Sequence, residues 1–387
     1  MIQRSTHNTL AFLILCFLIA ASCSNCDSSG IVFKDGFASI PIDIDAPRQN
    51  LADFIESVEI IQLEETASSL LGSVLEYERI GKSIVLRNFN TNSVIQFTEE
   101  GKYVSSFSKS GNGPQEYSFI LSFWVEGNSV FIYDPPNGRV QEYDIQGNYK
   151  SSTRITQSAI NSIISKSGKF YLSTIRPIDG VHRFYTIILD SEGNPIDMQI
   201  PYKYGKLIMT GWGYSDFTLV EEELMHHYAN NDTLYIQRNG QFEPYMSFDF
   251  GDNWAWKGVG EIESMEDFDE VRRQEGKVNT IAPIVSPDQV YLSYLHDGAT
   301  PSVLIDLKTG KSATIRGGYQ SEFRPIKYEA GQLVFVANST VLADFVNSLN
   351  SSQVNYLGDA SLESIESSEN PALVKIKFKD SSEWALG

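Results

Sequence analysis

The residue types that most often catalyse reactions or bind metals are few and scattered in this chain. It has five histidines and three cysteines among 387 residues. The four histidines beyond the N-terminal segment have no zinc-binding spacing, and none accompanies a Gly-x-Ser-x-Gly nucleophile motif. His226 and His227 are adjacent on a predicted strand, so their side chains point to opposite faces and cannot share a metal ion. The sequence therefore predicts no catalytic group, no metal site and no cofactor.

A second set of residues has the chemistry of a binding site. Aromatic rings stack on sugar or peptide groups, while carboxylates, histidines and an arginine orient such groups through hydrogen bonds. Eight candidates lie in or beside predicted loops, and we interpret them as a ligand-binding set for a glycan or a peptide: Arg176, Asp179, His182, Tyr228, Trp254, Trp256, His296 and Asp297. Ordinary loop surfaces contain the same residue types, and that alternative stays open.

The charge balance limits the partners. Aspartate and glutamate total 49 against 30 lysines and arginines, giving a formal net charge of -19. Phosphate binding requires a basic surface, so nucleic acid is excluded as a partner. We interpret the acidity as a source of solubility, with a cation-binding role as the alternative. The acidic cluster at 266–270 is interpreted as the exposed face of a helix rather than as a metal site.

The N-terminal segment has the pattern of a signal peptide. Residues 1–22 contain one charged side chain, Arg4, followed by a largely apolar run from Asn8 to Ala20 and two small residues. That pattern is typical of secretory signals. The run is shorter than the roughly 20 apolar residues that span a membrane, although a retained anchor helix is the alternative.

Cys23 is the candidate lipidation site. The segment from Leu18 to Cys23 resembles the lipobox that bacterial lipoprotein signal peptidase recognises, with Ala20 where leucine is usual. The resemblance implies a diacylglyceryl group on Cys23, while Cys26 is a poorer candidate because Asn25 precedes it. We therefore expect a signal peptide at 1–22, a lipidated tether and lead-in at 23–50, and a folded domain at 51–387. All three cysteines precede residue 51, so no disulfide bond can stabilise that domain.

A glycine-marked hairpin repeats along the body. Five alternating strand pairs have a turn glycine, and these glycines are Gly101, Gly147, Gly193, Gly240 and Gly310. Their spacings are 46, 46, 47 and 70 residues. A period in the forties is typical of a four-stranded propeller blade. The long last interval contains a segment at 261–276 with helical periodicity, which predicts a helical insertion between blades 4 and 5.

A sixth blade is predicted from an incomplete set of strands near the C-terminus. The missing outer strand can come from 58–63, an alternating segment before the first blade. Such a closure would join the first and last blades and remove exposed sheet edges. The predicted fold is all-β, a six-bladed β-propeller of four-stranded antiparallel blades.

Three stretches resemble the six-bladed β-propeller lipoproteins of Gram-negative bacteria, which are related in fold to the NHL and TolB-type propellers. These stretches are the entry strand at 58–64, the hairpin at 97–107 and the Gly-x-Gly-Pro-x-Glu-Tyr loop at 111–117. The resemblance covers residues 58–378. We interpret the glycine-rich loop as a turn, because a phosphate-binding loop would open a helix and a strand follows here.

The strand order predicts one face rich in loops. Connections between the second and third strands of a blade emerge on the same side as those leading to the next blade. That side is predicted to carry segments 88–92, 111–117, 134–138, 176–183, 228–232 and 296–300.

The leading hypothesis is a non-enzymatic propeller of the cell envelope that binds a glycan, a peptide or an envelope protein. It would be exported and anchored by lipid to the outer membrane, on its periplasmic or surface face. The alternative is a propeller enzyme, a lyase or glycan hydrolase that uses acidic or histidine residues on the loop face. A third possibility is a structural subunit of an envelope complex.

Overall fold

The first three strands of the described residues all become outer strands of sheets that later residues build. The computed structural model describes residues 31–72, 74–157, 160–175, 184–202, 215–316 and 322–385. The early strands are β1 (Ala38–Pro41), β2 (Arg48–Gln49) and β3 (Ile55–Gln62). Two of them fall within the segment that we expected to be a tether.

Six sheets follow one another along the chain, which confirms the predicted six-bladed propeller. Blade 1 contains β4–β7 (Val74–Ile80, Ser83–Asn88, Ser93–Phe97, Tyr103–Phe107) and blade 2 contains β8–β11 (Ser122–Glu126, Ser129–Asp134, Arg139–Asp144, Tyr149–Arg154). Blade 3 contains β12–β15 (Ile160–Lys166, Lys169–Thr174, Phe184–Leu189, Pro195–Pro201) and blade 4 contains β16–β19 (Phe217–Val220, Glu223–His226, Thr233–Arg238, Gln241–Asp249). Blade 5 contains β20–β23 (Val278–Val285, Gln289–His296, Ser302–Asp306, Ser312–Ile315). The innermost strands of neighbouring blades contact one another, as β4 does with β8 and with β24 of blade 6.

Blade 6 is completed by the N-terminal part of the chain. Its strands are β24 (Phe323–Glu329), β25 (Gln332–Ala337), β27 (Ala372–Phe378) and then β3, which lies antiparallel to β27. This confirms the predicted closure by the entry strand. Because the first and last segments share one sheet, the ring cannot open without breaking that ladder.

The outer edges of blades 4, 5 and 6 each gain a fifth, parallel strand. β1 pairs with β19, β2 pairs with β23, and β26 (Val354–Tyr356) pairs with β3. Unpaired strand edges invite association with other chains, so these additions protect three of the six blades. The outermost strands of blades 1, 2 and 3 are β7, β11 and β15.

The helices lie in the connections. They are α1 (Met265–Arg272), α2 (Ser339–Asn347) and α3 (Leu362–Glu366), with 3₁₀ turns at Leu51–Phe54, Gly251–Asn253, Ser351–Gln353 and Ser381–Glu383. α1 is the predicted insertion between blades 4 and 5. Its first turn is fixed by a capping box, in which Ser264 accepts from the Asp267 amide and Asp267 accepts from the Ser264 amide.

The turn glycines are required by the backbone. Gly193 and Gly240 have φ values of +86° and +82°, a region that other residues reach only with strain. Their surroundings differ: a Cβ atom on Gly193 would lie 2.2 Å from the Arg154 carbonyl oxygen, whereas one on Gly240 would meet nothing within 4 Å. Gly193 thus packs directly against the backbone of the preceding blade.

This difference gives a matched pair of substitutions. Gly240→Ala is expected to lower the free energy of unfolding by about 1 kcal/mol, the cost of the left-handed backbone alone. Gly193→Ala is expected to cost at least about 2 kcal/mol more, because two blades must also separate locally. Urea denaturation of both variants measures the difference. Equal losses would show that the contact between blades 2 and 3 does not constrain this turn.

The glycine-rich loop at 111–117 is a turn, as predicted. The Glu116 amide donates to the Gly113 carbonyl at 3.1 Å, and the Glu116 carboxylate accepts from the Gly113 amide at 2.8 Å. Arg139 on β10 of blade 2 donates to the Gly113 and Glu116 carbonyls. Tyr117 is fully buried. These contacts fasten the loop to blade 2.

Most of the core consists of apolar side chains between neighbouring blades. Ile95 and Phe97 of blade 1, for example, pack with Val334 and Leu373 of blade 6. Full burial of such a side chain contributes about 1.5–3 kcal/mol. The apolar layers hold adjacent blades face to face, and the loops therefore stand on a rigid base.

The contact between blades 6 and 1 also contains a partly buried charge cluster. Glu329 on β24 forms ion pairs with Arg79 on β4 and with Lys375 on β27, and it accepts a hydrogen bond from the Tyr77 hydroxyl at 2.8 Å. Burial would raise the pKa of Glu329, but Lys375, Tyr77 and Arg79 together hold it below its usual value. One carboxylate therefore links three strands across the point where the ring closes.

Candidate functional site

The loop face is built as the strand order predicted. Connections between the second and third strands, and connections between blades, lie on one side of the ring. The short turns that join the first strand to the second, and the third to the fourth, lie on the opposite side. The candidate site is therefore sought on the loop face and in the central channel below it.

Two phenylalanines on this face are exposed to solvent, unlike the other phenylalanines of the described residues. Phe89 follows β5 and is 48% exposed, and Phe119 precedes β8 and is 38% exposed. Their rings meet edge to face, with centroids 6.3 Å apart and an interplanar angle of 89°. We name this pair the aromatic platform. It spans the boundary between blades 1 and 2.

A buried arginine lies beneath the platform. The Arg87 guanidinium carbon is 5.3 Å from the Phe89 ring centroid and 5.5 Å from the Phe119 ring centroid. Arg87 is 4% exposed, and its Nη1 donates to the Leu121 carbonyl and to Glu76, each at 3.2 Å. Cation–π contacts of this kind stabilise both partners, so the rings are fixed from below.

The backbone at Phe119 is held by side chains from two blades. The buried Asp134 carboxylate accepts from the amides of Ser118 and Phe119, at 3.0 and 3.3 Å, and from the Asn137 side chain. Asn92 of blade 1 donates to the Ser118 carbonyl and accepts from the Ile120 amide. The platform ring at 119 is thus positioned by hydrogen bonds on both sides.

Phe89 is held in a similar way. The side chain of Asn88, which is buried, donates to the Leu70 carbonyl at 2.8 Å and accepts from the Asn90 amide at 3.1 Å. The exposed rings therefore stand on fixed loops, which is the arrangement expected of a preorganised binding surface.

Asp134 is a positioning residue that can be tested separately from the rings. Asp134→Asn replaces one acceptor oxygen with an NH₂ group that faces backbone amides, and the expected loss of unfolding free energy is about 1–3 kcal/mol. Amide hydrogen exchange at 118–120 should quicken. The exposed Asp190→Asn, whose carboxylate caps a remote turn of blade 3, is the control. Unchanged exchange at 118–120 would show that Asp134 does not hold the platform.

A pocket lined by both polar and apolar side chains lies beside the platform on the blade 6 side. Its volume is about 330 Å³, and it opens to solvent. Asn88 and Asn90, the two chain neighbours of Phe89, both line it. The other lining residues are Ala67, Ser68, Leu70, Leu71, Gly72, Thr91 and Glu369.

The central channel contains a second cavity, of about 180 Å³. Glu76 and Glu78 of β4 line it together with Lys327 of β24. Glu78 pairs with Lys327 at 2.8 Å, and Glu76 pairs with Arg87. Burial raises the pKa of Glu76 from 4.5 to about 7, against the opposing effect of Arg87. The channel thus holds two carboxylates, one of which is partly protonated at neutral pH.

A further polar cluster is buried between blades 3 and 4. Asp216 accepts hydrogen bonds from Ser173 and from Asn161, and burial raises its pKa from 3.8 to about 6. Nearby, His226 and Tyr228 share contacts with the Thr186 hydroxyl at 2.8 and 3.2 Å. Burial holds the pKa of His226 well below its usual value, so this imidazole stays neutral.

Tyr228, Trp254 and Trp256, which we predicted to bind ligand, are buried. Tyr228 belongs to the cluster between blades 3 and 4. The Trp256 indole donates to the Asn279 carbonyl at 2.6 Å and packs on Phe268 of α1. Both tryptophans line a depression of about 300 Å³, but their rings pack in the core of blades 4 and 5 and are not presented as an open stacking surface.

His296 and Asp297 lie at a turn of blade 5. The Asp297 carboxylate accepts from the Gly276 amide at 2.8 Å and thereby holds the chain that follows α1. His296 is mostly buried, and its Nε2 lies 3.6 Å from Asp297. Arg176, Asp179, His182 and Cys23 lie outside the described residues.

The predicted binding set is therefore not brought together as one surface in the part of the chain that is described. No group of three or more metal-ligating side chains occurs among these residues. No helix among them is long and apolar enough to cross a membrane. The sequence predicted the loop at 88–92, which contains Phe89, but its predicted loop at 111–117 ends before Phe119, and neither ring was among the predicted site residues.

Comparison with known structures supports the fold. A protein of Bacteroides fragilis that is described as exported shares 16% identity, with a TM-score of 0.71 over 89% of this chain and all of that one. A DUF4221 family member from Bacteroides vulgatus shares 12% identity, with a TM-score of 0.52 over 84% of this chain and 97% of that one. No curated protein matches the sequence. The family model of DUF4934, a domain of unknown function, matches residues 38–377, and the chain therefore belongs to the DUF4934 family.

Proposed function

We propose that this protein is an exported lipoprotein whose propeller binds a ligand on its loop face without transforming it. The observation that carries the proposal is the aromatic platform. Full burial of such a ring contributes about 1.5–3 kcal/mol to stability, yet 48% of Phe89 and 38% of Phe119 stay exposed. Exposed apolar groups that are clustered and bordered by polar residues mark interaction sites.

The rigidity of the platform supports the same conclusion. Asp134, Asn92 and Asn88 fix the loops, and Arg87 fixes the rings. A binding surface that is already ordered loses little conformational entropy when a ligand arrives. Such fastening has no evident purpose for two side chains that only face water.

Export is supported by the N-terminal sequence and by the similarity to the Bacteroides fragilis protein described as exported, and lipidation by the N-terminal sequence alone. In this proposal residues 1–22 are removed and Cys23 carries the lipid that anchors the protein to the outer membrane. Labelling with a lipid precursor tests it: Cys23→Ala should abolish incorporation, and Cys26→Ala should not. Incorporation that persists in Cys23→Ala would contradict the anchor.

The described part of the N-terminal segment joins the ring at blade 4. Phe33 stacks on Tyr245 with centroids 5.0 Å apart, and β1 then pairs with β19. Blade 4 lies across a six-bladed ring from blade 1. A lipid tether would therefore attach on the side away from the platform, which leaves the platform open to a ligand.

Removal of the platform rings tests the binding proposal. The double variant Phe89→Ala/Phe119→Ala is expected to weaken ligand binding at least tenfold, since each buried aromatic contact contributes about 0.5–1.5 kcal/mol beyond its area. Glycan and peptide arrays probed with the purified protein provide the measurement. Val104→Ala, which removes an equally exposed apolar side chain (49%) from β7, should bind as wild type does.

A glycan hydrolase or lyase is the second candidate. The observation that favours it is the carboxyl pair in the channel, where Glu76, with its raised pKa, lies two residues from Glu78 on one strand. A carboxyl with a raised pKa beside a second carboxyl suits acid catalysis of glycoside cleavage. Both groups already have cation partners, which favours a structural role. Turnover of a glycan that is lost in Glu76→Gln would support the enzyme and overturn simple binding.

A further inference from the structure

We infer that the ligand of the aromatic platform is a neutral carbohydrate. The inference rests on the proposed binding function and adds the chemical class of the ligand. It combines three observations: the exposed rings, the exposed polar side chains of the pocket beside them, and the charge distribution around both. Each observation restricts the ligand in a different way.

The exposed rings select a ligand with a flat, weakly polar face. An aromatic ring has a negative face and a positive edge, and the edge-to-face packing of Phe89 and Phe119 leaves ring surface open. The C–H bonds on one side of a pyranose ring carry small positive partial charges and form such a face. A sugar can therefore lie on the platform with its C–H groups against the rings.

The adjoining pocket selects a ligand with many hydroxyl groups. Its exposed polar lining comes from neutral side chains, namely Ser68, Asn90 and Thr91, with Glu369 as the charged member. Amides and hydroxyls both donate and accept hydrogen bonds, as sugar hydroxyls do. The volume of about 330 Å³ lies at the small end of the range for ligand pockets, which suits one or two sugar rings.

Asn88 and Asn90, the chain neighbours of Phe89, line the pocket, so the pocket lies beside the loop that carries the Phe89 ring. One sugar residue on the platform and the next in the pocket would use both. The ligand is then an oligosaccharide rather than a single sugar, since a single sugar would occupy one of the two and leave the other empty.

The charges favour a neutral ligand. The Arg87 guanidinium contacts both rings, but it is buried and hydrogen-bonded to Glu76 and to the Leu121 carbonyl. Glu369 adds a negative charge to the pocket, and the chain as a whole carries a formal net charge of -19. An anionic polysaccharide would meet repulsion at the surface and from the whole protein.

Calorimetric titration of the purified protein with neutral hexasaccharides of glucose, mannose, xylose and galactose tests the inference. Hexagalacturonate and a set of extended peptides are titrated in parallel. We expect binding of at least one neutral hexasaccharide, weakened roughly tenfold or more by Phe89→Ala and by Phe119→Ala. Phe119→Tyr, which keeps the ring, should bind within about threefold of wild type, and Val104→Ala should be unchanged.

Two outcomes would overturn the carbohydrate class. One is that no neutral hexasaccharide binds at concentrations up to about 10 mM, so that any affinity would be weaker than millimolar. The other is binding of hexagalacturonate or of peptides alone. If that binding is lost in the platform variants, the proposed function survives and only the ligand class fails. If no ligand class depends on Phe89 or Phe119, both fail.

Discussion

Replacement of Glu329 by glutamine is expected to lower the free energy of unfolding by about 1.5–3 kcal/mol, because it removes the shared carboxylate from a partly buried ion cluster. Arg79 on β4 and Lys375 on β27 would keep their charges without the carboxylate that pairs with them. The damage would fall where blade 6 meets blade 1. Chemical denaturation at neutral pH measures the loss.

An exposed ion pair on the same blade provides the control. Lys377, two residues along β27 from Lys375, pairs with Glu56 at 2.7 Å in a half-exposed setting. Glu56→Gln should cost at most about 1 kcal/mol, since solvent screens exposed pairs. If Glu56→Gln and Glu329→Gln lower the free energy of unfolding equally, the Glu329 cluster contributes no more to stability than an exposed ion pair does.

The cluster also has a pH dependence of known sign. Because the pKa of Glu329 is held below its usual value, its contribution to stability is present at neutral pH and is lost as pH falls through the folded-state pKa. In Glu329→Gln this acid-induced loss should be absent. The difference in the free energy of unfolding between wild type and Glu329→Gln should therefore become smaller as the pH is lowered.

The stability contributed by Glu76 is expected to depend on pH in the opposite direction, and this is the second large effect. Its pKa rises from 4.5 to about 7 on folding, so the folded state holds a proton that the unfolded state has released. Stability from this group is full below about pH 4.5 and falls as pH rises through 7. The rise in the pKa of Glu76 from 4.5 to about 7 corresponds to roughly 3 kcal/mol of stability lost at high pH.

Glu76→Gln is expected to remove this fall. The difference in unfolding free energy between wild type and Glu76→Gln should change by roughly 3 kcal/mol between pH 4.5 and pH 8, in favour of the variant at high pH. Glu99→Gln, which alters an exposed carboxylate of blade 1, is the control. A difference that stays constant with pH would contradict a partly protonated Glu76 in the channel.

Most of the fold was predictable because its turns leave marks in the sequence. Gly101, Gly147 and Gly193 must adopt positive φ, so the hairpins recur at visible intervals. The closing strand was predictable from alternation at 58–63. The parallel additions β1 and β2 were not, because each is only two to four residues long and pairs with strands far away in the sequence.

The site was less predictable, for a physical reason. Trp254 and Trp256 precede a helical insertion, and sequence alone does not show that Phe268 of that helix covers Trp256. A phenylalanine in a loop looks the same whether its ring is buried or exposed. The available signal was local: Phe89 stands between two asparagines, in a turn whose side chains hydrogen-bond to the backbone.

Site-directed photo-crosslinking in cells that produce the protein tests the central claim most directly. A photoreactive phenylalanine analogue is placed singly at 89 and 119 on the platform, and at 104 and 196 on the outer strands of blades 1 and 3, where Val104 and Ile196 are equally exposed. The platform account predicts ligand adducts at 89 and 119 and none at 104 or 196. Adducts at all four positions alike, or at none, would contradict a ligand-binding platform on the loop face.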